Sequence, residues 1–160
     1  MAARGGASIH WGGLDKAVEN AAKKLADKRE LLTLCGEVLI DGTLQRFRDE
    51  EDPEGKKWAP TRRGGKILSD TAGLQRSIDS AVTSDSVYVG TNKPYGPTHQ
   101  HGATIKPKNG KYLKFKVPGG GWVSVKEVTI KKRSFLGVSA KDRKELAETI
   151  KDYIAAAFKR

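Results

Sequence analysis

From Leu14 onward, apolar residues recur at helical spacing. Leu14, Val18, Ala21, Leu25, Leu32, Cys35 and Leu39 fall three and four apart, with one step of seven where Lys28 interrupts the row. Leu31, Leu34 and Val38 widen the stripe, Ile40, Leu44 and Phe47 carry it on, and Lys16, Glu19, Lys23, Asp27 and Glu30 fall off it. The pattern predicts one long N-terminal helix over about 14–49, bent near Gly42, where glycine weakens a helix interior by about 1 kcal/mol. At about 1.5 Å per residue it would run about 50 Å. That exceeds the width of a compact domain of this length, so the helix spans the whole domain or leans on a neighbour. Residues 49–55, four acids and then Pro53-Glu54-Gly55, stop it. The acids read as a solvated helix end in preference to a paired-acid catalytic site. Trp58-Ala59-Pro60 reads as a core plug that closes the helix end against a sheet.

Beyond a basic, glycine-bearing loop at 61–66, Asp70 or Thr71 is positioned to cap a short helical turn carrying Leu74 and Ile78. The period then shortens. Residues 80–83, a turn at Ser84-Asp85, and 87–89 predict a hairpin. Residues 95–103 form a junction rich in aromatic, histidine, proline and glycine. After it, Thr104-Ile105, the alternating Tyr112-Leu113-Lys114-Phe115-Lys116-Val117, Trp122–Val125 and the pair Val128 and Ile130 read as strands, with turns at Pro107–Lys111 and Pro118–Gly121. Ser139 with Asp142 three residues on is an N-cap pattern for a last helix over about 140–157, with Leu146, Ile150, Tyr153, Ile154 and Ala157 as its buried stripe. Lys159 and Arg160 suit the negative end of its dipole. Ahead of the first helix, residues 1–13 read as a flexible arm in which Trp11 is a packing peg. The chain is therefore read as a single α+β domain over 1–160, with helices packed on a curved antiparallel sheet and a basic arm at 104–133 protruding from it.

Composition changes this picture in one respect. The chain is 37% hydrophobic and 31% charged, with a net charge of +11, which fits a small core and a large partner-facing surface. The excess is localised. Between Gly102 and Arg133 stand Lys106, Lys108, Lys111, Lys114, Lys116, Lys126, Lys131, Lys132 and Arg133 against the single acid Glu127, so this stretch carries +8 of the +11. Tyr112, Phe115 and Trp122 interleave with the cations. Three readings stand side by side: an arm that follows a phosphate backbone, an arm that docks on an acidic protein rim, and an ordinary exposed hairpin whose lysines discourage edge pairing.

Catalytic and metal signals are weak. His99 and His101 would face one way on a strand and so are candidate zinc ligands, but no CxxC or HExxH accompanies them. A structural turn with hydrogen-bonded imidazoles is the stronger reading. Cys35, the single cysteine, sits on the helix stripe and reads as a small buried hydrophobe, not as a nucleophile partnered by His99. It permits no internal disulfide, and a reducing compartment is the default. Gly119-Gly120-Gly121 lacks the Gly-Lys-Ser/Thr of a phosphate loop. No apolar run long enough to span a membrane and no secretory h-region is present in the sequence.

The succession Phe47, Asp52-Pro53-x-Gly55-x-x-Trp58-x-Pro60, Ile67-Leu68-x-Asp70-Thr71-x-Gly73-Leu74-x-x-Ser77-Ile78, Val87-x-Val89-Gly90 and Tyr95-Gly96-x-x-His99-Gln100-x-Gly102-Ala103 resembles the phage virion morphogenesis family, which includes tail-completion proteins of Mu-like phages. The resemblance covers about 45–153. Phe135-Leu136-Gly137-Val138-Ser139 matches the family's closing motif, except that Arg133-Ser134 stands where an Arg-Pro is usual. It implies a non-enzymatic virion protein of the head–tail connector, or neck, without a cofactor, assembled in the host cytoplasm. The implied partners are copies of itself in a homo-oligomeric ring, often of six, other neck, portal-side or tail-tube proteins, and DNA in the channel, but no membrane. On this reading Phe47, Pro53, Gly55, Trp58, Gly73, Leu74, Tyr95, His99 and Gly102 are scaffold. Lys106, Lys108, Lys111, Lys114, Lys116, Trp122, Lys126, Lys131, Lys132 and Arg133 face a neighbour or DNA. A basic nucleic-acid-binding module is the alternative, and a metallohydrolase built on His99 and His101 is a distant third.

Overall fold

The computed structural model describes residues 14–61, 64–117 and 119–158. The expected N-terminal arm with Trp11, the arginines of the 61–66 loop, and the terminal Lys159 and Arg160 lie outside the described residues. The expected long helix is two helices, α1 (Leu14–Ala26) and α2 (Arg29–Asp49). The break falls at Asp27-Lys28, where the apolar row takes its step of seven. There the Asp27 carboxylate accepts the Arg29 N–H at 2.9 Å, as a cap does. The two halves then meet different partners: α1 packs on the C-terminal helix α4 (Ala140–Phe158), and α2 packs on α4 and on the first strand pair. At Gly42 the helix continues without a break. Glycine is needed there for proximity, because a Cβ would overlap the Asp142 carboxylate of α4.

Glu50, in the left-handed conformation at φ 56°, ends α2. The acids that follow are turn material. Asp52 accepts the N–H groups of Glu54 and Lys56, and Glu50 accepts the Ile67 N–H at 2.6 Å. Trp58 closes the helix end as expected. Its N–H bonds Glu50 O at 2.8 Å, and its ring meets Phe47 edge-on at 5.6 Å. Phe47, Trp58, Ile67, Leu74, Ile78 and Phe135 form the core, flanked by Ile40, Leu44, Leu68, Val89 and Leu136.

The predicted capped turn shrinks to a 3₁₀ turn at Gln75–Ser77, and Ile78 starts β1 (Ile78–Val82). That strand pairs with β2 (Val87–Thr91) around the expected Ser84-Asp85 turn. Residues 96–101 form a short helix, α3 (Gly96–His101), leading into β3 (Ala103–Ile105). Next come β4 (Leu113–Lys116), β5 (Trp122–Val125) and β6 (Val128–Ile130).

One curved sheet is not what these strands make. They form three two-stranded antiparallel ribbons, β1–β2, β3–β6 and β4–β5. The reason lies in the loop lengths. The chain from 103 to 130 is one long hairpin, but seven residues separate β3 from β4 while only Lys126 and Glu127 separate β5 from β6. That mismatch cannot keep a continuous register, so the ladder stops and restarts.

The Ser139–Asp142 cap forms reciprocally: the Asp142 N–H donates to Ser139 Oγ at 3.0 Å, and the Ser139 N–H donates to Asp142 Oδ2 at 2.8 Å. The expected stripe of α4 is half corrected. Tyr153 and Ala157 are buried, but Ile150 and Ile154 are 39% and 41% exposed, as is Phe158 beyond them at 51%, because α1 and α2 pack on the Tyr153 side of the helix.

Candidate functional site

Two constructions stand out, and the first is a junction. Residues 133–137 lie in no helix or strand. Backbone groups so placed must still be satisfied, and three side chains do it. Trp58 Nε1 donates to Ser134 O at 3.0 Å. Gln100 of α3 accepts the N–H groups of Phe135 and Leu136 at 3.0 Å each and donates to Leu136 O at 2.8 Å. Arg46 of α2 donates to Phe135 O at 2.9 Å and to Gly137 O at 3.0 Å. Its remaining reach goes to Thr43 Oγ1 at 2.9 Å and to Asp142 at 2.7 Å, forming an ion pair with both side chains buried. Burial pushes the Asp142 pKa up, but the Ser139 N–H and the Arg46 guanidinium outweigh it and hold the carboxyl below its ordinary value.

Gln100 and Arg46 were not among the residues expected to matter as sites. Arg46 lies seven residues beyond Leu39 on the buried row of α2, and that was the one available signal. Nothing local points to Gln100's partners, which lie 35 and 36 residues further on.

Around this junction lie the residues expected to be scaffold. Phe47, Trp58 and Leu74 are core. Pro53 faces Gly137, Gly55 turns with φ 81°, and Gly73 lies against Thr71 and the Tyr95 hydroxyl. Leu68, Thr71, Gly73, Tyr95, His99 and Arg133 share a cleft of about 550 Å³.

Gly102 takes φ 76° and ψ 162°, a region reserved for glycine, and a Cβ there would sit 3.0 Å from the Lys132 backbone nitrogen. Gly102→Ala is expected to lower stability by about 1–3 kcal/mol. Denaturant melts of the two proteins measure it, and coincident midpoints would refute the steric account.

His99 and His101 sit on a helix, two residues and about 200° apart, so they do not share a face as strand residues would. Among the described residues no group of three or more His, Cys, Asp or Glu is placed to hold a metal. The imidazole of His99 meets the Tyr95 ring edge-on at 6.0 Å, and its Nδ1 is buried with no hydrogen-bond partner, contrary to the hydrogen-bonded turn expected. Burial and, secondarily, the charge of Arg133 lower its pKa below 6.5. The unfolded chain therefore takes up this proton first as pH falls. Stability is full above about pH 6.5 and declines from there down to the folded-state pKa. Melting temperatures should fall as pH is lowered from about 6.5, and His99→Gln should flatten that slope. An unchanged slope in His99→Gln would exclude this source. Burial likewise raises the thiol pKa of Cys35, the opposite of what activates a nucleophile.

The second construction is the basic hairpin. Lys106, Lys108, Lys111, Lys114, Lys116, Lys126, Lys131 and Lys132 are exposed, and so is Trp122 at 76%. Arg133 departs from this group. It is buried, and its guanidinium donates to Ala59 O at 2.8 Å and Pro60 O at 3.2 Å, because it roots the arm in the junction. Lys106 pairs with Glu127 at 3.5 Å where the ladder is interrupted. In the outer ribbon Leu113 lies opposite Val125, Lys114 opposite Ser124, Phe115 opposite Val123 and Lys116 opposite Trp122. Alternation then gives two unlike faces: Leu113, Phe115, Val123 and Val125 on one, and Lys114, Lys116, Trp122 and Ser124 on the other. Among the described residues no helix or other strand packs broadly on this ribbon.

Comparison with known proteins comes to the same family as the motifs. A profile described as the phage virion morphogenesis family matches residues 9–155. The chain is similar to "Mu-like prophage FluMu G protein 2" of Haemophilus influenzae, 28% identical over 146 residues, spanning 91% of this chain and 92% of that protein. No solved structure matches at a significant level.

Proposed function

The chain belongs to the phage virion morphogenesis family, and from that premise we propose that it is a non-enzymatic structural protein of the head–tail junction. It completes the neck as a ring of identical subunits around the DNA channel and joins portal-side and tail-tube components. The family match over 9–155 carries this reading. Two surfaces support it, because a lone subunit leaves both uncovered. One is the Ile150–Ile154–Phe158 row of α4, spaced four apart along one side of the helix. The other is the apolar face of the β4–β5 ribbon, since a two-stranded hairpin is marginal in water without something to pack on.

Contiguous exposed apolar surface of large extent marks interaction sites. In the ring the α4 row meets the next copy, and the ribbon reaches across to a neighbour. Sedimentation of the purified protein over a range of concentrations tests the assembly. Wild-type chains should form a discrete oligomer. Ile154→Asp should shift it to a monomer that keeps its helical circular dichroism, since residue 154 is 41% exposed on its own subunit. A wild-type protein that stays monomeric at every concentration and is absent from the necks of imaged particles would overturn the proposal.

A further inference from the structure

We propose that the Lys114–Lys116–Trp122 face of the β4–β5 ribbon binds single-stranded nucleic acid, with the lysines on the phosphates and the indole stacked on a base. The strand register is the main argument. Lys114 and Lys116 point from the same side of β4 about 7 Å apart, and Lys116 lies directly opposite Trp122 on β5. Two cations and an aromatic ring are thereby gathered on one surface, while the apolar side chains turn to the other. Tyr112 and Lys126 adjoin the ladder and are exposed as well. From Ala103 to Lys126 the chain has six lysines and no acid, so nothing on this stretch neutralises them. The nearest acid, Glu127, is engaged with Lys106.

An acidic protein partner explains the charge less well. Flexible, hydrated lysines gain little from surface ion pairs with carboxylates. Along a polyanion the same lysines release condensed counterions, and each phosphate neutralised adds to the gain. The ring of Trp122 decides further. At 76% exposure it is a large apolar plate beside cations, left largely open by the described residues. Unpaired bases supply the flat, sequence-tolerant partner that such a plate accepts, and a duplex keeps those faces stacked within itself. The inference does not rest on the ring proposed above, since a monomer presents the same face.

Fluorescence anisotropy of a labelled oligothymidylate of about twenty nucleotides, between about 50 and 200 mM salt, tests it. The full chain should bind this probe more tightly than a duplex of the same length, and binding should quench tryptophan emission. Trp122→Ala should weaken binding roughly tenfold, and Trp122→Phe should restore most of it. Lys114→Gln with Lys116→Gln should reduce the log–log salt slope by about 1.4, at about 0.7 for each phosphate no longer neutralised. Lys141→Gln, on α4, should change neither. Circular dichroism and melting of each variant establish that it is folded, and the conservative Trp122→Phe keeps the question open to measurement if Trp122→Ala does not fold. A duplex bound as tightly as the single strand, binding indifferent to Trp122, or poly-glutamate bound as tightly as the oligonucleotide would each overturn the inference, the last in favour of an acidic protein.

Discussion

Replacing Asp142 with alanine is expected to cost the fold about 3–5 kcal/mol, the range for breaking one side of a buried ion pair. Whole domains are stable by only about 5–15 kcal/mol, so the variant should unfold at a much lower denaturant concentration or fail to accumulate. The cost has two parts. The Arg46 guanidinium, 2.7 Å from the carboxylate, would be left buried without a counter-charge. The N-cap of α4 would also lose the oxygen that holds the Ser139 N–H.

Buried pairs elsewhere can be replaced by apolar residues at little cost, which makes the double change Arg46→Met with Asp142→Leu informative. Here it should not rescue the fold. Arg46 also serves Phe135 O, and that buried carbonyl left bare costs about 1–3 kcal/mol; its bond to Gly137 O, in an exposed residue, adds less. Equilibrium unfolding of the single and double variants separates the two cases. A double variant as stable as the parent would mean the carbonyls find other donors. The same carboxylate sets an acid limit. Its folded pKa is depressed, so its stabilisation is complete above its ordinary value of 3.8 and is lost as pH falls from there through the folded value.

The second large effect concerns assembly. Deleting Lys108 to Trp122 should leave a folded subunit and abolish infectious particles. The deletion removes β4, the turn and the first residue of β5, and it spares β3, β6 and the junction. No core side chain is removed, so the melting temperature should stay within a few degrees of the parent while complementation of a defective phage falls to background. Wild-type titres from the deletion would refute the neck proposal. A deleted protein that cannot fold would instead mean the ribbon belongs to the core, against its separation from the helices and the other strands.

Local chemistry was legible in the sequence. The Ser139–Asp142 cap, the turn between β1 and β2 and the burial of Trp58 each follow from residues a few positions apart, and each formed. Long-range pairing was not legible. Gly42 looked like a bend because its neighbour, Asp142, is 100 residues away along the chain. The interruption at Lys28 was visible, but periodicity does not distinguish a break from a continuous helix when the stripe resumes one heptad later. Ile150 and Ile154 fitted a buried stripe by spacing, and only the positions of α1 and α2 show that they are uncovered. The alternation of the 112–117 strand was readable, yet which side chains share a face with Trp122 depended on register.

How the arm is rooted has a mechanical consequence. Its outgoing root leaves α3 at Gly102, and its returning root passes into Arg133, whose N–H bonds His99 O at 2.8 Å. Both anchorages therefore fall within a few residues of Gln100, and Gln100 is bound to residues 135 and 136, the first of which Arg46 also holds. A pull on the tip would load these bonds and pass through Arg46 into α2. The base of the arm is thereby tied to α2 and α3 and does not hang on its own ladder alone.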